Sequence, residues 1–241
     1  MNFKNYTVSQ NEWTLTTAYD HGIIAKTILE KHNGIISFCM RDETVCRVDV
    51  TKHLFPDGVF LRQFGISVTE NGNFFFIQHW ESGLYCFELP SGQLRWKSKL
   101  RHPYEIVVHN DIVICHFLDQ CVDSFLIGTG EIVAHYPLGY DKNFLPLSDD
   151  YYLAGPKRGR YHILDRNLSI CANVPEELFN PSGFSNYIML EANIHPKGIQ
   201  ISGFESSPEL EQQRCSEGRF GTDQYWFSRI VEIDLDKVGI S

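Results

Sequence analysis

Long apolar runs are missing from this sequence, and no stretch approaches the roughly 18 apolar residues of a membrane-spanning helix. Long basic runs are missing as well, and the formal net charge over 241 residues is −9. Nucleic-acid binding draws most of its affinity from Lys and Arg on phosphates, so neither nucleic acid nor an anionic membrane is an expected partner. An acidic chain does suit a basic protein partner, because complementary charge speeds encounter, although the same acidity also serves solubility. No cysteine pair has the C-x-x-C spacing of a zinc knuckle or redox motif. The seven cysteines, Cys39, Cys46, Cys86, Cys115, Cys121, Cys171 and Cys215, are odd in number, and most stand singly in apolar, strand-like runs. That pattern points to free thiols in a reducing compartment. The N-terminal "MNFKNYTVSQNEW" lacks the apolar h-region of a signal peptide. These absences together predict a cytoplasmic protein.

Catalytic signatures are absent too. There is no G-x-S-x-G elbow, P-loop or Rossmann fingerprint. Gly128-Thr129-Gly130 has the glycines of a phosphate loop but leads into a strand, so it offers phosphate no helix N-terminus. Helical periodicity is weak throughout. Only Pro175 to Phe179 and Ser207 to Cys215 read as single helical turns, the second with Ser207-Pro208-Glu209 as a fair N-cap.

What the chain does have is aromatic and β-branched sequence cut by turn residues. Phe, Tyr and Trp make up 13% of it, and such residues fit a pleated surface. "GLYCFELPSGQLRWKSKL", Gly83 to Leu100, reads as strand, turn, strand, with Gly92 free to take the positive φ of a tight hairpin. Thirty-eight residues on, "VDSFLIGTGEIVAHYPL" repeats it: Gly130 aligns with Gly92, Thr129 with Ser91 and Phe125 with Phe87. A weaker copy, "YHILDRNLSICANV", puts Asn167 in the glycine position, and "RIVEIDL" supplies a last strand. A further hairpin precedes each copy, around Asn71-Gly72, Asn110-Asp111, Asp149-Asp150 and Pro196-Lys197-Gly198, and another is predicted around Asn33-Gly34. Four short strands every 38 to 40 residues are the sequence signature of a β-propeller blade. A two-sheet sandwich would explain the turns but not the spacing of Gly92 and Gly130.

The expectation is therefore an all-β chain: a single β-propeller domain over residues 1–241, with five blades of four antiparallel strands. The blades fall near 21–60, 61–102, 103–140, 141–178 and 179–235. The orphan strand at 11–20 is expected to complete the last blade and close the ring, because closure removes exposed sheet edges.

"LYCFELPSGQLRW" resembles the repeat of quinoprotein-like (pyrroloquinoline-quinone-type) β-propellers, which reads roughly Leu-Tyr-Ala-Leu-Asp, a short gap, Thr-Gly, three residues, Trp. Tyr85, Phe87, Glu88, Ser91, Gly92 and Trp96 fall on those positions. The next copy keeps Thr129 and Gly130 but has Ala134 for the Trp, and the third keeps only Leu164-Asp165. The resemblance implies that Trp96 docks between neighbouring blades and that Gly92 and Gly130 shape turns, all three being structural. The quinone dehydrogenases of that family are much longer and exported, so no cofactor is expected here.

Residues with chemistry are scattered. His79, His109, His116, His135, His162 and His195 show no metal-ligand spacing, so no metal site is predicted. Asp49, Glu88, Asp119, Asp123, Asp149, Asp150, Asp165 and Glu191 could supply paired carboxylates for glycosidase chemistry, but most sit at turns, where Asp bonds backbone. The segment Gly203 to Trp226 stands out, with a long insertion from Glu205 to Thr222. Glu205, Glu209, Glu211 and Glu217 make it acidic, while Phe204, Phe220, Tyr225 and Trp226 flank it with the aromatics that dominate interface hot spots. The reading is a non-enzymatic protein-binding module, monomeric on its own. A concrete form is an immunity-type protein that neutralises a toxin or another basic partner. A carbohydrate-active or sugar-binding propeller is the alternative.

Overall fold

Alternation of apolar and polar residues sets the strands, and departures from it mark strands covered on both faces. In β5 (Val45–Asp49) Cys46 and Val48 point inward between exposed neighbours. In β8 (Gly83–Glu88) every residue but the last is buried, which is why "LYCF" carries no polar position. The computed structural model describes residues 3–9, 12–18, 24–30, 33–40, 45–54, 64–69, 71–80, 82–100, 102–109, 111–118, 121–139, 142–181, 186–206, 209, 212–213, 216–217 and 225–235. Among them are twenty strands and two four-residue helices, α1 (Thr51–Leu54) and α2 (Glu176–Phe179). No helix among the described residues is long and apolar enough to cross a membrane. Contacts group the chain into two units, Met1–Leu118 with Asp123–Ala134, and Asp119–Val122 with His135–Ser241.

The strands pair strictly with their neighbours in sequence. β1 (Phe3–Ser9), β2 (Glu12–Ala18), β3 (Ile24–Glu30), β4 (Asn33–Cys39) and β5 form a five-stranded antiparallel sheet in that order. β6 (Phe64–Val68), β7 (Phe74–His79), β8 and β9 (Leu94–Lys97) form the second, again antiparallel. β10 (Pro103–Val108), β11 (Ile112–Phe117), β12 (Cys121–Leu126) and β13 (Ile132–Tyr136) make the third. β14 (Asn143–Pro146), β15 (Tyr151–Lys157), β16 (Arg160–Asp165) and β17 (Ile170–Pro175) make the fourth. The last sheet is β18 (Asn186–His195), β19 (Gly198–Ser206) and β20 (Tyr225–Glu232). The chain is thus all-β, built mainly of four-stranded up-and-down sheets.

The strand predicted at 11–20 does not join the last sheet. It is β2, paired on one side with β1 (Ser9↔Glu12) and on the other with β3. Pairing adjacent segments closes a loop of a few residues. Reaching a strand some 200 residues away costs about 4 kcal/mol more in loop entropy. The hairpin predicted around Asn33-Gly34 forms between β3 and β4, but its closing pair is Glu30↔Asn33, so Asn33 and Gly34 begin β4 and the turn lies just before them. A further correction concerns Asn167. The left-handed residue of that turn is Leu168, at φ 57°. The Asp165 carboxylate accepts the Asn167 and Ser169 amides at 2.8 and 2.9 Å, and burial of Leu168 offsets its backbone strain.

In the first unit Phe38, Phe75 and Phe87 form the centre of the core, with the Phe75 and Phe87 rings stacked at 4.8 Å. Each fully buried Phe contributes about 2 to 3 kcal/mol of transfer free energy. In the second unit Tyr161, Ile163, Phe179, Ile199, Ile201 and Val231 are buried together, and Tyr161 packs on Phe179 at 4.4 Å.

Gly92 and Gly130 occupy equivalent turns at φ 68° and 73°, and their amides bond back to the Glu88 and Leu126 carbonyls at 2.8 Å. Each turn sits on the outer strand of the preceding sheet. A Cβ on Gly92 would lie 2.7 Å from Val48 Cγ1, and one on Gly130 would lie 2.5 Å from Trp96 Cγ. Trp96 itself stacks on Phe125 at 5.4 Å, and its Nε1 donates to the Ile127 carbonyl at 2.7 Å.

Candidate functional site

Two of the nominated interface residues, Glu211 and Phe220, lie outside the described residues, as does most of the insertion. Glu209 and Glu217 are exposed, and Glu217 accepts the Gln213 side-chain amide at 3.1 Å. The remaining residues, Phe204, Glu205, Tyr225 and Trp226, belong to strands of the last sheet, where register decides what each one faces.

That register places Tyr187, Glu205 and Tyr225 in one cross-strand row and Ile188, Phe204 and Trp226 in the next. Side chains of successive rows point to opposite faces. On the inner face Glu205 pairs with Arg229, whose guanidinium lies 4.3 Å over the Phe227 ring, and Tyr187 stacks on Phe227 at 5.2 Å. Glu205 is therefore matched within the fold. Burial raises the Tyr187 pKa well above the ordinary phenol value, keeping it neutral.

The outer face is different. Trp226 is 55% exposed and meets Phe204 edge-on at 5.2 Å, with Ile188, 44% exposed, completing the row. A register shift between Met189 and Glu191 leaves Leu190 exposed beside them. Further along the same face come Ile230, and then Glu232 at the far end. Glu191, exposed and held by the Ser202 hydroxyl at 2.9 Å, shares this face. Tyr225 is exposed at the end of β20. Among the described residues no strand pairs with the outer edge of β20. The sequence nominated Phe204, Trp226 and Tyr225. It did not nominate Ile188, Leu190 or Ile230, whose exposure depends on pairing and on a bulge that no local pattern encodes.

The other chemistry-bearing residues have local duties. Asp49 Oδ1 accepts the Thr51 amide at 2.9 Å, Asp165 organises its own turn, and Asp150 pairs with Arg166 at 2.7 Å. Glu88 accepts the Ser91 hydroxyl at 3.3 Å. Asp119 lies outside the described residues. His79 Nδ1 takes the Ser82 amide at 3.0 Å, and burial alone pulls the His116 pKa down to about 4. Burial pushes the Cys86 thiol up to about 12, so it carries no thiolate at neutral pH. One cluster was not nominated at all: Lys157, Arg158, Arg160, His162 and Asn173 line a hollow of about 570 Å³ at the β15–β16 turn.

A scan against protein-family models finds no match, and no curated protein matches the chain. Among solved structures it is similar to BamB from Moraxella catarrhalis, at 14% identity and a TM-score of 0.44, over 84% of this chain. The chain spans 66% of the length of that protein. It is also similar to the computationally designed Ika4 protein, at 12% identity and a TM-score of 0.40, over 69% of this chain and 92% of that one.

Proposed function

We propose that the chain is a propeller-type scaffold, the twenty strands of its described residues making five blades, and that it binds a protein partner through the outer face of the β18–β20 sheet. The carrying observation is the row of Ile188, Phe204 and Trp226, in which half-buried Phe204 lies between exposed Ile188 and Trp226, continued by exposed Leu190 and Ile230. Large apolar side chains gathered on one face mark an interaction surface, and Trp is the residue most enriched in hot spots. Exposed Glu191 and Glu232 share that face, so the fitting partner offers an apolar contact ringed by Lys and Arg. On this reading the free chain is a cytoplasmic monomer that needs no cofactor. The most specific form is an immunity-type protein that captures a basic toxin.

A photo-crosslinking residue at position 230 tests this. The expected result is one stoichiometric protein of basic composition, lost on Trp226→Ser. A hot-spot Trp is worth about 2 kcal/mol or more, roughly thirtyfold in affinity. Recovery of the same proteins by both forms would overturn the reading. So would self-association that Trp226→Ser abolishes, because the occupant would then be a second copy. A captured toxin whose activity falls at one equivalent of added chain would establish the specific form.

A further inference from the structure

The β15–β16 hairpin concentrates positive charge in an acidic protein. Strand alternation and register put Lys157, Arg160, His162 and Asn173 on one face: Lys157 lies opposite Arg160, and His162 opposite Asn173. Arg158 and Gly159 form the two-residue turn between the strands, at φ 52° and 74°. Arg158, Arg160 and Asn173 are exposed, while Lys157 and His162 are half-buried. Together the five line a hollow of about 570 Å³, within the size range of small-ligand sites.

Three features of this turn are unfavourable in the free protein. Two cations face each other across the strands at Lys157 and Arg160, an arrangement that destabilises a sheet. Arg158 holds a left-handed backbone, in a turn type that favours Asn or Gly at both central positions. Among the described residues no carboxylate pairs with Lys157, Arg158 or Arg160. Lys157 donates instead to the Pro137 carbonyl.

The lining is also rich in hydrogen-bond donors. The Tyr136 hydroxyl hydrogen-bonds His162 Nδ1. Burial raises the Tyr136 pKa, so the phenol keeps its proton and donates it. His162 stays neutral because burial, then Lys157 and Arg160, lower its pKa. With Nδ1 accepting, Nε2 carries the ring hydrogen. The hollow therefore presents an ammonium, two guanidinium groups, an imidazole N–H and the Asn173 amide. Compact groups bearing two negative charges and several acceptor oxygens match that set, and Arg in particular reads phosphate through paired N–H bonds.

We propose that the hollow at the β15–β16 turn is a binding site for a phosphate group, carried by a small metabolite or by a phosphorylated side chain. It shares no residue with the proposed protein-binding face of the last sheet, so either reading can fail without the other.

The test is an NMR titration with inorganic phosphate and pyrophosphate, against acetate at matched ionic strength. The expected result is saturable binding with a Kd of about 1 mM or tighter, with shifts confined to residues 157–162 and Asn173. Arg160→Gln should weaken it at least tenfold. Arg158→Gly should weaken it too, while leaving the melting temperature unchanged or higher, because glycine suits the turn. That opposite pair of effects separates lost binding from lost folding. Tighter binding of a phosphoserine peptide than of inorganic phosphate would assign the group to a protein, and equal binding to a free phosphate compound; either upholds the site. Shifts no larger with phosphate than with acetate, or affinity unchanged in Arg160→Gln, would overturn it.

Discussion

Two hairpin turns solve the same backbone problem in opposite surroundings. The turn at Gly130 has φ 73° and lies against the Trp96 ring, whereas the turn at Arg158-Gly159 has φ 52° and 74° with open space around the place where a Gly159 side chain would project. In the first, glycine answers both to the backbone and to a neighbour. In the second, only the backbone constrains the residue, and an arginine occupies a position where glycine would be less strained. The contrast separates a glycine required by packing from a strained residue that brings charge to a surface.

The largest expected effect comes from removing the neighbour. Trp96→Ala strips the stacking on Phe125 and leaves the Ile127 carbonyl without its indole donor, for a loss of about 4 kcal/mol in urea unfolding. Next is a pH effect on the two histidines. The folded His116 pKa of about 4 lies below its ordinary 6.5, so the unfolded chain binds the extra proton first. The stability contributed is present in full above pH 6.5 and is lost as pH falls towards 4. The loss amounts to up to about 3 kcal/mol, and His116→Phe should remove that part of the pH dependence. His162 differs in kind, since Lys157 and Arg160 add to burial. Added salt should therefore raise its pKa, read by NMR, and leave His116 where it is.

Smaller effects compare the turns directly. Gly130→Ala should cost about 2 kcal/mol or more from backbone strain and the approach to Trp96. Gly159→Ala should cost only the strain, about 1 kcal/mol. In the Trp96→Ala background the two alanine substitutions should cost nearly the same, and a persisting gap would show that Trp96 is not the constraint. Smallest is Arg158→Gly, with a gain of at most about 1 kcal/mol.

The strand repeat was legible because apolar runs and turn residues act locally. The order within each sheet follows from neighbours pairing with neighbours. The long-range placement of strand 11–20 was misread because ring closure is an architectural argument, and the Ser9↔Glu12 hairpin wins on loop entropy. The hairpin near Asn33-Gly34 was legible but not its position, because a turn-forming dipeptide can equally begin the strand that follows the turn. At the candidate face, the exposure of Trp226 followed from its segment, but the matching of Glu205 by Arg229 required the β19–β20 register. "KRGR" reads as an ordinary polar turn. Only the sheet brings His162 and Asn173 beside it.

The seating of each turn on the strand before it has a temporal consequence. Trp96 precedes Gly130 by 34 residues, and Val48 precedes Gly92 by 44. During synthesis each outer strand therefore waits roughly 2 to 9 seconds for the turn that covers it. Through that interval the nascent chain presents an uncovered indole or valine to whatever waits at the ribosomal exit, and a chaperone has a defined time in which to act.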